Sequence, residues 1–432
     1  MKMANMDDYF DVVIVGTGAA GLYCALNLPA RYRILLLTKQ KADESDSFLA
    51  QGGICMQHGE ADYRPFFDDT MRAGHYENNP ATVDMMIRSS NSIIRDLVRR
   101  GVRFARDDHG ALRFTREGAH SRPRILFHED ITGHEITQTL LNEVLRCENI
   151  ELREHTTLLD FFADASACGG VIAAGPDDEP RAIGAGAVVL ACGGIGGLYK
   201  NSTNFPHITG DAIAMALRHG VACEHLDYIQ IHPTTLYSHR KGRRFLISES
   251  VRGEGALLLD KNGNRFTNEL QPRDVVSAAI RAQMEKDSTD HVWEDMRPIG
   301  EAAIREHFPN ILERCEEEGY DPIHEPIPVV PAQHYFMGGI TADLSSRTAL
   351  PRLYACGETC CNGVHGRNRL ASNSLLESLV FAQRAADDIL YGEPPVFTGD
   401  KPDLAPYREQ EPLFAAYRQE VLTAIERSKN HE

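Results

Sequence analysis

At 432 residues the chain can bury large cores and divide into two or three domains. A formal charge of −17 excludes non-specific binding to nucleic acid or to an anionic membrane surface, since both need a basic face. No apolar run approaches the roughly 18 residues of a membrane-spanning helix. Met1 to Asp8 lacks the apolar core of a signal peptide, so a soluble, cytoplasmic protein is expected.

The first predicted element is a strand over Asp11–Val15, closed by Gly16-Thr17-Gly18-Ala19-Ala20-Gly21 before a helical pattern at Leu22, Ala25 and Leu26. Gly16 makes the tight turn, Gly18 lets backbone N–H groups approach a pyrophosphate, and Gly21 lets helix and strand pack closely. The next strand, Arg33–Thr38, should end in the acid that holds a ribose hydroxyl, but it runs on into Lys39 and Gln40. That departure disfavours an ordinary NAD site. Lys39 either meets a phosphate or the adenosine edge, or is a solvated strand-end lysine.

Ser45-Asp-Ser-Phe-Leu-Ala-Gln-Gly-Gly-Ile54 follows. Its Gly52-Gly53 pair gives backbone access to a flat ligand, and Ser47 and Gln51 can hydrogen-bond its heteroatoms. Val188 to Gly197 reads as an apolar strand ending in a second glycine turn, with Gly193 and Gly194 at its tip. Thr209 to Ala216 reads as a capped helix start with Asp211 in the first turn. From about 226 to 340 the strand–helix alternation breaks and polar groups become dense: Gln230, His232, Ser248, Glu249, Arg252, Arg273 and His334. Leu353-Tyr-Ala-Cys-Gly-Glu358 and the run from His365 to Glu377 then restore a strand, a polar loop and a helix start. Glycine-marked turns more than 300 residues apart imply one cofactor domain assembled from both ends of the chain. That arrangement points to a flavoprotein.

Ten cysteines are scattered, with no C-x-x-C pair and no histidine at zinc spacing, so no metal site is expected. Cys356, Cys360 and Cys361 form the one cluster, open to redox chemistry or to burial as small hydrophobes.

The Ala50-Gln-Gly-Gly53 segment, together with the two ends, resembles the flavoprotein superfamily of succinate dehydrogenases, fumarate reductases and L-aspartate oxidases. The resemblance covers nearly all the chain to about residue 395. It implies an α/β fold, with a Rossmann-like FAD-binding domain over 1–225 and 341–395. It further implies an inserted α+β capping domain over 226–340 and a truncated helical tail over 396–432. It places FAD against Gly16 to Gly21, Lys39, Ser47, Ala50 to Gly53, Gly193, Gly194, Gly210, Asp211, Glu358, Ser374 and Leu375. Membrane-bound relatives attach FAD to a histidine five positions before the glutamine; Asp46 stands there, so a non-covalent flavin is implied.

The same resemblance makes Arg273 the proton donor or acceptor beside the substrate carbon, with Glu249 and Arg252 as its relay. Arginine alone is a poor acid at an ordinary pKa above about 12. Gln230, His232, Ser248, His334 and Arg369 become the dicarboxylate-binding set, where guanidinium forks match carboxylates. Thr115-Arg-Glu-Gly-Ala-His-Ser121 is similar to an Arg-Glu-Gly-x-His-Ser segment of L-aspartate oxidases, which implies that Glu117 meets a substrate ammonium. Taken alone, Glu117 reads equally as a surface-loop acid. The expectation is FAD-dependent oxidation of L-aspartate to iminoaspartate with oxygen or fumarate as acceptor, feeding quinolinate synthase in NAD biosynthesis. A soluble fumarate reductase is the alternative within the fold, and a non-catalytic flavin-binding subunit the alternative outside it. The family's long C-terminal helical domain has no counterpart after Pro406, where one helix over Glu409–Arg427 is expected.

Overall fold

A computed structural model describes residues 8–240, 242–393 and 395–430. The expectation made for the leader concerns mostly Met1–Asp7, which lie outside the described residues.

Four parallel strands set the frame of a seven-stranded sheet. Tyr9–Val15 pairs with Ile34–Leu37 on one side and with Pro180–Leu190 on the other; Leu353–Ala355 pairs with the end of Pro180–Leu190. The registers bring Val15 level with Leu37 and Leu190, and Leu190 level with Ala355. The carboxyl ends of strands drawn from both ends of the sequence therefore share one edge, where ligands of open α/β sheets bind. Val12 to Val15, Ile34–Leu37 and Leu353–Ala355 are continuously apolar and buried because helices cover both faces. Ala19–Asn27 packs against Asn373–Tyr391 on one face; Asp211–Arg218 and the C-terminal helix Gln410–Lys429 cover the other. Tyr417 anchors that last helix, fully buried, its hydroxyl donating to the Leu159 carbonyl at 2.7 Å.

A separate four-stranded antiparallel sheet, ordered Ile229–Leu236, Ile327–Phe336, Val292–Asp295, Leu257–Leu259, has its own core of Val251, Leu258, Val276, Ile280, Ile311 and Val329. Helix Arg273–Asp287 packs against it. The proline-rich stretch from Pro322 to Pro331 runs into this sheet as the internal strand Ile327–Phe336. Pro331 fits because it falls at a register shift opposite His232–Thr235, where the ladder is interrupted and no N–H is missed.

The helix expected from Thr209 begins at Asp211 with Gly210 as its N-cap residue and no side-chain cap. Gly210 has φ +74°, and the Asp211 carboxylate is taken by the Thr209 hydroxyl at 2.7 Å and by Lys39. All ten cysteines carry free thiols, and Cys356, Cys360 and Cys361 are buried.

Candidate active site

The four strand ends open into one cleft with a cavity volume of about 330 Å³. Gly16, Thr17, Gly18 and Ala20 line it from the first turn; Lys39, Ser47, Ala50, Gln51, Gly52 and Gly53 from the second; Gly193, Gly210 and Asp211 from the third; and Glu358, Ser374 and Leu375 from the C-terminal part. Ala19, Gly21 and Gly194 do not reach it and act through packing. A Cβ on Gly21 would stand 1.9 Å from the Gly16 carbonyl, and one on Gly194 would stand 2.3 Å from the Glu358 carboxylate. Gly16, at φ +112°, is needed twice over, since its Cβ would meet the Ala191 carbonyl at 2.1 Å.

Gly52 and Gly53 line the cleft and are also required by packing: Cβ atoms there would meet Glu117 Oε1 at 2.3 Å and the Leu126 carbonyl at 2.4 Å. Lys39 is half-buried and not a free strand-end lysine, because Asp211 and the His207 carbonyl hold its ammonium. The cradle nevertheless fits a flavin dinucleotide. Helix Ala19–Asn27 presents an N-terminus with no acid in its first turn, as an anionic pyrophosphate requires. Ser45 Oγ, Asp46 Oδ2 and Gln51 Oε1 are buried without partners beside it, which calls for a polar ligand. Ser47 accepts the Ala19 N–H at 3.0 Å and so ties that helix start to the second turn. Asp46 accepts the Phe205 N–H at 2.9 Å, and burial lifts its carboxyl to about 7.

The same cleft is lined by Glu117, Ser248, Glu249, Arg273, His334 and Arg369. Arg273 opens helix Arg273–Asp287 and is 7% exposed; its Nε donates to Glu249 Oε2 at 2.5 Å and its Nη1 to Gln230 Oε1 at 2.9 Å. Arg252 lies behind, fully buried, 3.7 Å from the same Glu249 oxygen and donating to the Glu269 carbonyl at 2.6 Å. Burial works against the Glu249 charge, yet Arg273 and Arg252 hold its carboxyl below the usual range. Arg369, over the Tyr335 ring at 4.5 Å, donates to Ser374 at 3.0 Å and keeps an unpartnered buried Nε. Burial, then Arg273, lowers it to about 10. His334 meets the Thr203 hydroxyl at 2.8 Å; burial and the two arginines keep it neutral.

Three expected site residues sit behind the lining. Gln230 spends its amide on Arg273, Asn368 and the Arg369 carbonyl, so it positions the two arginines rather than contacting substrate. His232 is fully buried, its ring 5.1 Å from His334, with Nε2 unpartnered. Arg252 touches the cavity only through Glu249. Ser248 lines the cavity and also caps its short helix by accepting the Ser250 N–H at 3.2 Å.

Glu117 is 3% exposed, which excludes a surface-loop acid. Ser250 donates to its Oε1 at 2.9 Å and Ser372 to its Oε2 at 2.6 Å. Burial, then the nearby Glu249 charge, raises its carboxyl above the usual range. Ser250 and Ser372 escaped the sequence reading although both lie close to residues it singled out, because nothing local to a serine says which acid it will meet.

The FAD binding domain family matches residues 11–375. The chain is 48% identical over 380 residues to L-aspartate oxidase of Clostridium perfringens, covering 88% of this chain and 86% of that protein. It is 44% identical over 442 residues to L-aspartate oxidase of a Nostoc species, covering 98% and 76%. Among solved structures, a quinol-fumarate reductase with menaquinol molecules superposes with a TM-score of 0.84 at 32% identity, over 95% of this chain and 75% of that one.

Proposed function

The chain belongs to the L-aspartate oxidase family of FAD-binding proteins, and on that premise we propose that the cleft residues named above oxidise L-aspartate to iminoaspartate. The observation that carries this reading is that Arg273, Arg369 and a buried acid, Glu117, line the same cavity as the nucleotide-binding turns. That set matches a substrate with two carboxylates and one ammonium.

FAD, when bound, supplies the two-electron acceptor for the hydride that leaves the substrate Cα. Arg369, His334 and Ser248 hold the carboxylates, and desolvation in the cleft strengthens each contact. Glu117 receives the ammonium, which succinate lacks, and takes the proton that the nitrogen gives up as the hydride leaves. Gln230 fixes both arginines at once, so the substrate is clamped in one orientation before reaction. In the opposite sense, reduction of fumarate, carbon gains a proton as well as a hydride. Arg273 delivers that proton only because Glu249, in contact at 2.5 Å, can replace it from Arg252. The flavin is held without a covalent bond, since Asp46 offers a carboxylate where attachment needs a histidine. The acceptors are oxygen or fumarate, and iminoaspartate passes to quinolinate synthase.

The test is steady-state turnover of aspartate with oxygen and with fumarate as acceptors, following peroxide and succinate. Aspartate-dependent formation of either supports the reading. Turnover with succinate but not with aspartate overturns it.

A further inference from the structure

Glu117 lies in a tight turn whose fixation needs explaining. The His120 N–H donates to the Glu117 carbonyl at 3.3 Å, and Ala119 between them sits at φ +65°, a conformation that costs a non-glycine residue about 1 kcal/mol or more. Gly118 has no room for a side chain, since a Cβ there would stand 2.4 Å from Glu249 Oε1. Ser372, which donates to Glu117, is also left-handed, at φ +61°. Two strained backbones thus face each other across one carboxylate.

His120 joins them. It is 6% exposed, and its Nε2 lies 3.0 Å from the Ala371 carbonyl, the residue before Ser372. A carbonyl only accepts, so Nε2 carries the proton and Nδ1 is the lone pair that accepts from Arg124 Nη1 at 2.8 Å. Arg124 is itself immobile: fully buried, 3.0 Å from Asp62 and 2.8 Å from Asp69. Asp69 also takes the Ser121 N–H at 2.7 Å and its hydroxyl at 2.6 Å, pinning the chain on the far side of His120. Burial, then Arg124, lowers His120 to about 4, so the strut keeps one tautomer through the neutral range.

We infer that His120 is a positioning residue for amine selectivity: it ties the Glu117 turn to the Ala371–Ser372 segment and fixes the carboxylate that receives the substrate ammonium. This rests on the role proposed for Glu117. A residue that merely filled space would, when replaced, weaken every substrate and FAD retention alike. A positioning residue affects the amino substrate selectively, and a replacement that keeps the donor to Ala371 restores it.

The experiment compares wild type, His120→Leu, His120→Gln, Glu117→Gln and the double variant Glu117→Gln/His120→Leu as holoenzymes. KM and kcat are measured for aspartate oxidation and for fumarate reduction by an artificial donor. His120→Leu should raise the aspartate KM roughly 10- to 100-fold while changing the fumarate KM by less than about threefold. His120→Gln, whose amide can donate to Ala371, should recover most of the loss. The double variant should be no worse than Glu117→Gln alone, because both changes remove one interaction. If Glu117→Gln impairs aspartate but His120→Leu does not, or if His120→Leu weakens both substrates equally without rescue, the inference is wrong while the Glu117 role stands. If Glu117→Gln leaves aspartate oxidation intact, that role fails and takes the inference with it.

Discussion

Glu294 gives a quantitative test of the packing account, independent of catalysis. It stands on the internal strand Val292–Asp295, paired with Leu258 on one side and Ile327 on the other, in register with buried Val292 and Met296. Both carboxyl oxygens are buried without a hydrogen-bond partner. Burial raises the group from an ordinary value near 4.5 to about 8, with Arg252 pulling weakly the other way. An acid whose folded value is raised binds more protons folded than unfolded. Its favourable contribution is complete in acid and is lost as pH climbs from about 4.5 to about 8. Each pH unit in that window removes about 1.4 kcal/mol, so roughly 3 kcal/mol is gone by pH 7. Glu294→Leu removes the titration and the two unpaired oxygens together. The variant should gain stability over wild type by about 1 kcal/mol at pH 5 and about 4 kcal/mol at pH 8. At an unfolding entropy of about 2.1 cal/mol/K per residue, the gain at pH 8 is on the order of 4 °C in Tm. Thermal unfolding of both holoenzymes at pH 5, 6.5 and 8 reads this directly, and Glu294→Gln should show the same pH trend with a smaller offset. A gain that does not vary with pH, or a loss at pH 8, would refute the reasoning and mean that Glu294 is an ionised partner of Arg252.

Three further outcomes follow from the site. Glu117→Gln should cut aspartate kcat/KM by roughly 30-fold or more, the cost of unpairing a desolvated charge, while fumarate reduction persists; equal loss of both would make Glu117 structural. Arg273→Leu should lower turnover about 100- to 10,000-fold with FAD still bound, since Arg273 belongs to the helix packed on the antiparallel sheet rather than to any glycine turn; near-normal turnover would remove it from the mechanism. Acid precipitation should release all yellow colour into the supernatant, and colour kept in the pellet would contradict the non-covalent reading of Asp46.

How much was legible depended on the range of the physical signal. The Gly16–Gly21 turn and the Cys356-Gly-Glu358 turn announced themselves locally, because tight turns at strand ends demand glycine whatever surrounds them. Their union at one sheet edge followed from parallel pairing across Pro180–Leu190. Gly52 and Gly53 line the cleft too, but a further reason for their glycine was hidden: the atoms that exclude a Cβ there belong to Glu117 and Leu126, distant in sequence. Gln230 looked like a substrate ligand because its motif is polar, but its amide is consumed by Arg273, Asn368 and the Arg369 carbonyl. Pro331 hid a strand because its tolerance depends on a bulge that only the partner strand reveals. Glu294 gave no signal at all: of the adjacent acids Glu294 and Asp295 in one short strand, nothing local says which is buried without a partner.

The central claim is that this cleft takes an amino dicarboxylate and passes its electrons to FAD. Anaerobic titration of the purified yellow holoenzyme, followed by flavin absorbance, tests it most directly. The account predicts bleaching by L-aspartate, with succinate far slower, and loss of the aspartate response in Glu117→Gln. Bleaching by succinate in preference to aspartate, or by neither, would contradict it.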